Sequence, residues 1–194
     1  MAVERELLMF SSAAEWRAWL EVHGSESPGV QLAIGKKGSG IPSVSYLEAL
    51  EVALCFGWID GQRNRLDETH FRQLYTPRGA RSIWSQINRD RVQALIDAGR
   101  MTPAGLAEID RAKADGRWDA AYAPASSIVV PDDLAAALAA SPAALALFEQ
   151  LDSTNRFAIL FRIGNVKRAE TRERKIVTYV EMLARGETIY PRKA

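Results

Sequence analysis

The sequence predicts an α+β fold, a mainly helical single domain with a small antiparallel sheet in its N-terminal half. Apolar residues recur at helical spacing along most of the 194-residue chain. Alternating apolar and polar residues are confined to three segments between residues 30 and 77, the pattern of half-buried strands. Helix-start signals then follow one another to the C-terminus. We therefore expect a helical body that supports one small sheet.

The first helix begins at Ser12, because Glu15 three residues later completes the pattern of a capping box. One face of this helix is formed by Trp16, Trp19, Leu20 and His23. The run VQLAI at 30–34 then alternates as a half-buried strand does, and the polar turn KKGSG ends it. The predicted order is a helix followed by a strand.

A second helix begins near Ser43 or Ser45, and Gly57 ends it. Two segments with strand character follow, GWIDGQRNR and HFRQLYT. They are joined by LDET, in which Asp67 and Glu68 favour a turn. We predict that these two strands pair as a hairpin and form a sheet with the strand before them.

After Pro77 the pattern is helical to the end. Cap residues and N-terminal prolines predict helix starts at Ser82 or Ser85, Thr102, Val130, Ser141 and Thr171. Apolar spacing around Phe157 marks one more helix. The stretch RWDAAYAPASSIVV after Gly116 mixes small residues with Pro124 and predicts an irregular connector.

This connector suggests a division of the chain into two parts. Residues 1–122 would form the α+β part with the sheet and a ligand pocket, and residues 128–194 a helical part. We expect the second part to pack on the first, so that both form one compact unit.

Composition and charge limit the classes of partner. Lys and Arg total 25 against 24 Asp and Glu, a balance that disfavours nucleic-acid binding. The N-terminus lacks the apolar run of a signal peptide, and the sequence has no run long enough for a membrane span. The single cysteine, Cys55, cannot form an intrachain disulfide. These features lead us to expect a cytoplasmic protein. His23 and His70 are isolated in the sequence, with no other ligand residue at suitable spacing, so we expect no metal site, and we also expect no cofactor.

The segment from Cys55 to Asn88 is the best candidate for a binding surface. It combines glycines, which let a backbone approach closely, with tryptophans and arginine forks. Seven arginines stand between Arg63 and Arg91 against three acidic residues. The predicted lining of the pocket is Trp58, Asp60, Arg63, Arg78, Trp84, Ser85 and Asn88. Such a pocket suits a small anionic or planar ligand.

Other hypotheses remain open at this point. Asp60, between Gly57 and Gly61, is the only candidate for a catalytic residue, a general base assisted by arginines. Alternatively, the alanine-rich and basic helices of residues 128–194 hold a protein partner. The simplest hypothesis is that the arginines cover a solvated sheet face and that Asp60 either accepts a hydrogen bond from a neighbouring backbone group or pairs with Arg63.

Several blocks, in this order, resemble one known family. They are KKGSG at 36–40, ALCFGWIDG at 53–61, YTPR at 75–78, SIWSQIN at 82–88, GRMTPAG at 99–105, AKADGRW at 112–118 and KRAETRERKI at 167–176. The chain resembles the bacterial YdeI/OmpD-associated family, also called bacteriocin-protection proteins. The resemblance implies a stress-resistance protein linked to protection against bacteriocins or cationic antimicrobial peptides, and to an outer-membrane porin. It implies no catalytic residue and no cofactor.

Overall fold

The computed structural model describes residues 5–191, and within them the chain forms four strands and eight helices. In chain order these elements are β1 (Leu7–Leu8), α1 (Ala13–His23), β2 (Val30–Gly35), α2 (Tyr46–Cys55), β3 (Trp58–Arg65), β4 (His70–Pro77), α3 (Gln86–Asp97), α4 (Pro103–Ala114), α5 (Asp132–Ala139), α6 (Pro142–Glu149), α7 (Ser153–Gly164) and α8 (Ala169–Ala184). They belong to two compact units, of which the first ends at Ala121 and the second begins at Tyr122. The packing of the second part on the first stays a prediction.

The sheet lies in the first unit and confirms the α+β class, but it is mixed and not purely antiparallel. Its strand order is β1-β2-β4-β3. Strand β4 pairs antiparallel with both β2 and β3, whereas β1 runs parallel to β2. The sequence does not predict β1, because its two residues, Leu7 and Leu8, are too few to show alternation.

Side-chain caps fix the starts of the first two helices. The Ser45 hydroxyl accepts the Glu48 N–H at 3.3 Å, and the Glu48 carboxylate accepts the Ser45 N–H at 3.0 Å, so α2 begins with a complete capping box. Ser12 is the N-cap of α1, as predicted. The Glu15 carboxylate, however, accepts hydrogen bonds from Ser11 instead of Ser12, and the predicted box is therefore shifted by one residue.

The later helix starts follow the predictions in part. Ser85, one of two candidates, is the N-cap of α3, and Thr102 caps α4. Helix α8 begins at Ala169, two residues before the predicted Thr171, and no side chain caps it. A helix can therefore begin without a side-chain cap, since tertiary packing stabilises α8.

The core of the first unit is built around tryptophans, and all five in the chain lie in this unit. Trp16, Trp58 and Trp84 are at most 2% exposed. The Trp16 ring meets Trp58 edge-on at 6.1 Å and Tyr75 at 5.8 Å. Cys55 is buried in the same cluster, and burial raises the pKa of its thiol, which favours a packing role over a reactive one.

The second unit is helical and has its own core. Helices α5, α6 and α7 all pack against α8. Leu134, Phe148, Ile159 and Leu183 are among the buried side chains, and the fully buried Ala144 leaves room for close approach of helices. No helix between residues 5 and 191 is both long and apolar enough to cross a bilayer.

The end of α2 meets the start of α4 at a single carbonyl. The Cys55 carbonyl accepts the Thr102 N–H at 3.1 Å and the Thr102 hydroxyl at 2.7 Å. Gly105 lies against the same carbonyl, and a Cβ at this position would overlap the Cys55 oxygen and approach the Met101 side chain. The glycine is therefore required by the close approach of the two helices.

We predict that Gly105→Ala lowers the free energy of unfolding by about 1–3 kcal/mol, the usual cost of overpacking. Urea unfolding followed by circular dichroism measures this change. The matched control is Gly164→Ala at the end of α7, where, within residues 5–191, an added Cβ meets no atom within 4 Å beyond its chain neighbours and the backbone of its own helix. That variant should be as stable as the native protein or slightly more so. Equal unfolding midpoints for Gly105→Ala and the native chain would contradict the prediction.

Candidate functional site

Three of the predicted site residues share one face of β3. Trp58 is paired with Pro77 of β4, Asp60 with Tyr75, and Arg63 with Gln73. A β-bulge lies between Asp60 and Arg63. The extra residue of the bulge keeps the two side chains on the same face, although they are three positions apart.

Asp60 binds a partner that the sequence does not reveal. The Tyr46 hydroxyl, at the start of α2, donates to Asp60 Oδ2 at 2.8 Å. Both side chains are half-buried. Burial, and then the hydrogen bond and charge of Asp60, raise the pKa of Tyr46 to about 12, although the charges of Arg91 and Arg63 act to lower it. Tyr46 is thus a hydrogen-bond donor at neutral pH, held by a carboxylate.

The charges of two guanidinium groups, those of Arg63 and Arg91, act on Tyr46. The Arg63 guanidinium carbon is 3.6 Å from the centroid of the Phe71 ring, a cation–π contact. Arg91 Nη1 donates to Asn88 Oδ1 at 3.3 Å on the first turns of α3. Within residues 5–191, neither guanidinium lies within ion-pair distance of a carboxylate. We call Tyr46, Asp60, Arg63, Asn88 and Arg91 the Tyr46 site.

Trp58 belongs to the core and does not line an open pocket, contrary to the prediction. Its side chain is 1% exposed, and its indole N–H donates to the Gly24 carbonyl at 3.1 Å. The rings of Trp16 and Trp19 meet it edge-on at 6.1 and 6.2 Å. These contacts occupy both its polar and its apolar surface, and no ligand reaches the ring without displacing them.

Arg78 and Trp84 form a buried stack. The Arg78 guanidinium carbon lies 3.6 Å from the Trp84 ring centroid, and Nη1 donates to the Ile83 carbonyl at 3.2 Å. Arg78 is 4% exposed and Trp84 is 2% exposed, and Trp118 packs edge-on against Trp84 at 4.9 Å. A desolvated cation–π contact is worth about 2 kcal/mol, so this stack stabilises the first unit.

Ser85 has a structural role as well. Its hydroxyl accepts the Asn88 N–H at 3.1 Å and caps α3. Of the seven predicted residues, the structure thus brings Asp60, Arg63 and Asn88 to the Tyr46 site and leaves the other four in packing or capping roles. The other two residues of the Tyr46 site, Tyr46 and Arg91, were not predicted from the sequence.

The structure also contains a buried ion pair that was not predicted from the sequence. Glu108 on α4 is 3% exposed, and its Oε1 lies 2.9 Å from Arg117 Nη1. Arg117 also donates to the Ser82 carbonyl at 3.1 Å, which ties the loop before α3 to α4. Arg111 and Asp115 extend the network. Removing one partner of such a pair is strongly destabilising, so we assign the network to the fold.

We predict that Asp60→Asn lowers the pKa of Tyr46 from about 12 toward the ordinary tyrosine value. The neutral amide no longer opposes formation of the phenolate, whereas burial continues to raise the pKa. NMR titration of protein labelled at tyrosine Cζ measures the shift, and Tyr46→Phe identifies the resonance. An unchanged pKa in Asp60→Asn would show that the two side chains are not in contact.

Family models match both parts of the chain. Residues 8–108, more than half of its length, match the model described as a domain of unknown function (DUF8412). Residues 127–186 match the model described as Bacteriocin-protection, YdeI or OmpD-Associated, which confirms the resemblance drawn from the sequence. Comparison with the curated proteins and with solved structures found no match. The chain therefore belongs to the family of the domain of unknown function DUF8412 and carries a YdeI/OmpD-associated bacteriocin-protection region after it.

Proposed function

We propose that the first unit binds a small anionic ligand at the Tyr46 site, in a cytoplasmic protein that supports bacterial resistance to bacteriocins and related stress. One observation carries this proposal. Arg63 and Arg91 are both close enough to Tyr46 for their charges to lower its pKa, yet neither has a carboxylate partner in residues 5–191. Two guanidinium groups without an ion-pair partner, beside a fixed hydrogen-bond donor, are suited to an oxyanion.

The arrangement also restricts the chemistry of the ligand. The Asp60 carboxylate repels a second anion, so the anionic group of the ligand belongs on the side of the arginines. Asp60 Oδ2 already accepts from Tyr46, and a donor on the ligand would face the remaining oxygen. We therefore favour a molecule that carries a carboxylate or phosphate together with a hydroxyl or amino group.

The exposure of the two arginines fits such a role. Arg63 is exposed and can approach a ligand from solvent, whereas Arg91 is half-buried and already oriented by Asn88. Orientation before binding reduces the entropy lost when the ligand is held. The link to bacteriocin protection rests on the match of residues 127–186, and the cytoplasmic location rests on the sequence prediction.

We predict that Arg91→Gln weakens binding of a small oxyanion by about tenfold or more, as expected for loss of one charge-assisted hydrogen bond. Calorimetric titration with inorganic phosphate, 3-phosphoglycerate and a hydroxybenzoate measures the affinity. The matched control is Arg72→Gln, an exposed arginine on the opposite face of β4, which should bind as the native protein does. No saturable binding, or equal losses in both variants, would refute the proposal.

The second candidate is an enzyme in which Asp60 is the general base. The observation in its favour is that Asp60 is half-buried and lies outside every ion pair of the described residues. Mass spectrometry of a bound ligand after prolonged incubation separates the two candidates. Turnover that is lost in Asp60→Asn while binding persists indicates an enzyme, and an unaltered ligand indicates a binding protein.

A further inference from the structure

Helix α7 in the second unit has one face in the core and another that lines a groove. One face carries buried residues such as Ile159 and Ile163 into the core. The other face, with Phe157 and Phe161 one turn apart, lines an open groove of about 600 Å³. Sites for small molecules usually have volumes of about 300–1,000 Å³ and mostly apolar linings, so this groove has the dimensions of a ligand site.

Tyr190, which also lines the groove, is held in place by the buried side chain of Asn155. Asn155 is 1% exposed, and its amide makes two hydrogen bonds to the backbone of Tyr190. The Tyr190 N–H donates to Asn155 Oδ1 at 2.9 Å, and Asn155 Nδ2 donates to the Tyr190 carbonyl at 3.2 Å. These bonds place the Tyr190 ring against the groove. Asp152, the N-cap of α7, also accepts from Asn155.

A cation lies at the rim of the apolar lining. Arg162 Nη2 donates to the Tyr190 hydroxyl at 3.4 Å, and its guanidinium carbon lies 5.9 Å from the Tyr190 ring. The described part of the chain provides no carboxylate within ion-pair distance of Arg162. The hydroxyl groups of Ser153 and Thr154 add hydrogen-bonding capacity to the lining.

We propose that this groove binds an amphipathic anion, with its acyl or aromatic body against Phe157 and Phe161 and its carboxylate at Arg162. Charge complementarity selects this occupant over a cationic peptide, because a second positive charge beside Arg162 is repelled. The site lies in the second unit and does not rest on the function proposed for the Tyr46 site.

The test compares two amphiphiles that share an alkyl chain and differ in charge, dodecanoate and dodecyltrimethylammonium, both below their micellar concentrations. Calorimetric titration of the full chain should show saturable binding of dodecanoate and weak or no binding of the cation. Arg162→Gln should weaken dodecanoate binding about tenfold, the effect of one lost charge-assisted bond. Arg156→Gln, on the same helix but stacked over Phe148 at 4.5 Å, should leave the affinity unchanged.

A second variant keeps the proposal falsifiable if Arg162→Gln alters the fold. Ala125→Trp places a large ring at an exposed position of the lining and should abolish binding while thermal unfolding remains native. Equal or tighter binding of the cation, binding that survives Ala125→Trp, or no binding of dodecanoate would overturn the proposal. So would a dimer of the native chain that Ala125→Trp dissociates, since the occupant would then be a second copy.

Discussion

The candidate site depends on the β-bulge in β3, because without it Asp60 and Arg63 would point to opposite faces of the sheet. Two features maintain the bulge. The carbonyl of Gly61 accepts a hydrogen bond from the side chain of Gln73 at 2.8 Å, and Gln73 is 2% exposed. A Cβ at Gly61 would lie 2.9 Å from the Leu74 side chain. A buried amide and a glycine thus fix the irregularity that places a carboxylate beside an arginine.

The arginines between residues 63 and 91 have two physical roles, which are distinguished by the partners of their guanidinium groups. Arg78 is buried and stacks on Trp84, and Arg89 donates to the Trp118 carbonyl at 2.9 Å. These side chains stabilise the fold. Arg63 and Arg91 keep their charge near Tyr46 without a carboxylate partner in the part of the chain that the structure describes. A local excess of one residue type therefore does not by itself indicate a single pocket.

The sequence predicted those features that depend on neighbouring residues. Alternation located the hairpin, and Ser45, one of the two predicted start positions, is the N-cap of α2. Features that depend on distant residues were not predictable in this way. The Tyr46 hydroxyl reaches Asp60 only because α2 packs on β3, and Glu108 meets Arg117 across a turn after α4. The burial of Trp58 likewise follows from α1, which no local pattern around Trp58 describes.

The confinement of all five tryptophans to the first unit has a practical consequence. Indole fluorescence reports the environment of that unit alone, whereas the far-ultraviolet signal includes helices α5 to α8 as well. Coincident transitions in the two signals would mean that the units unfold as one cooperative system. Separated transitions would mean that each unit has its own stability and unfolds independently of the other.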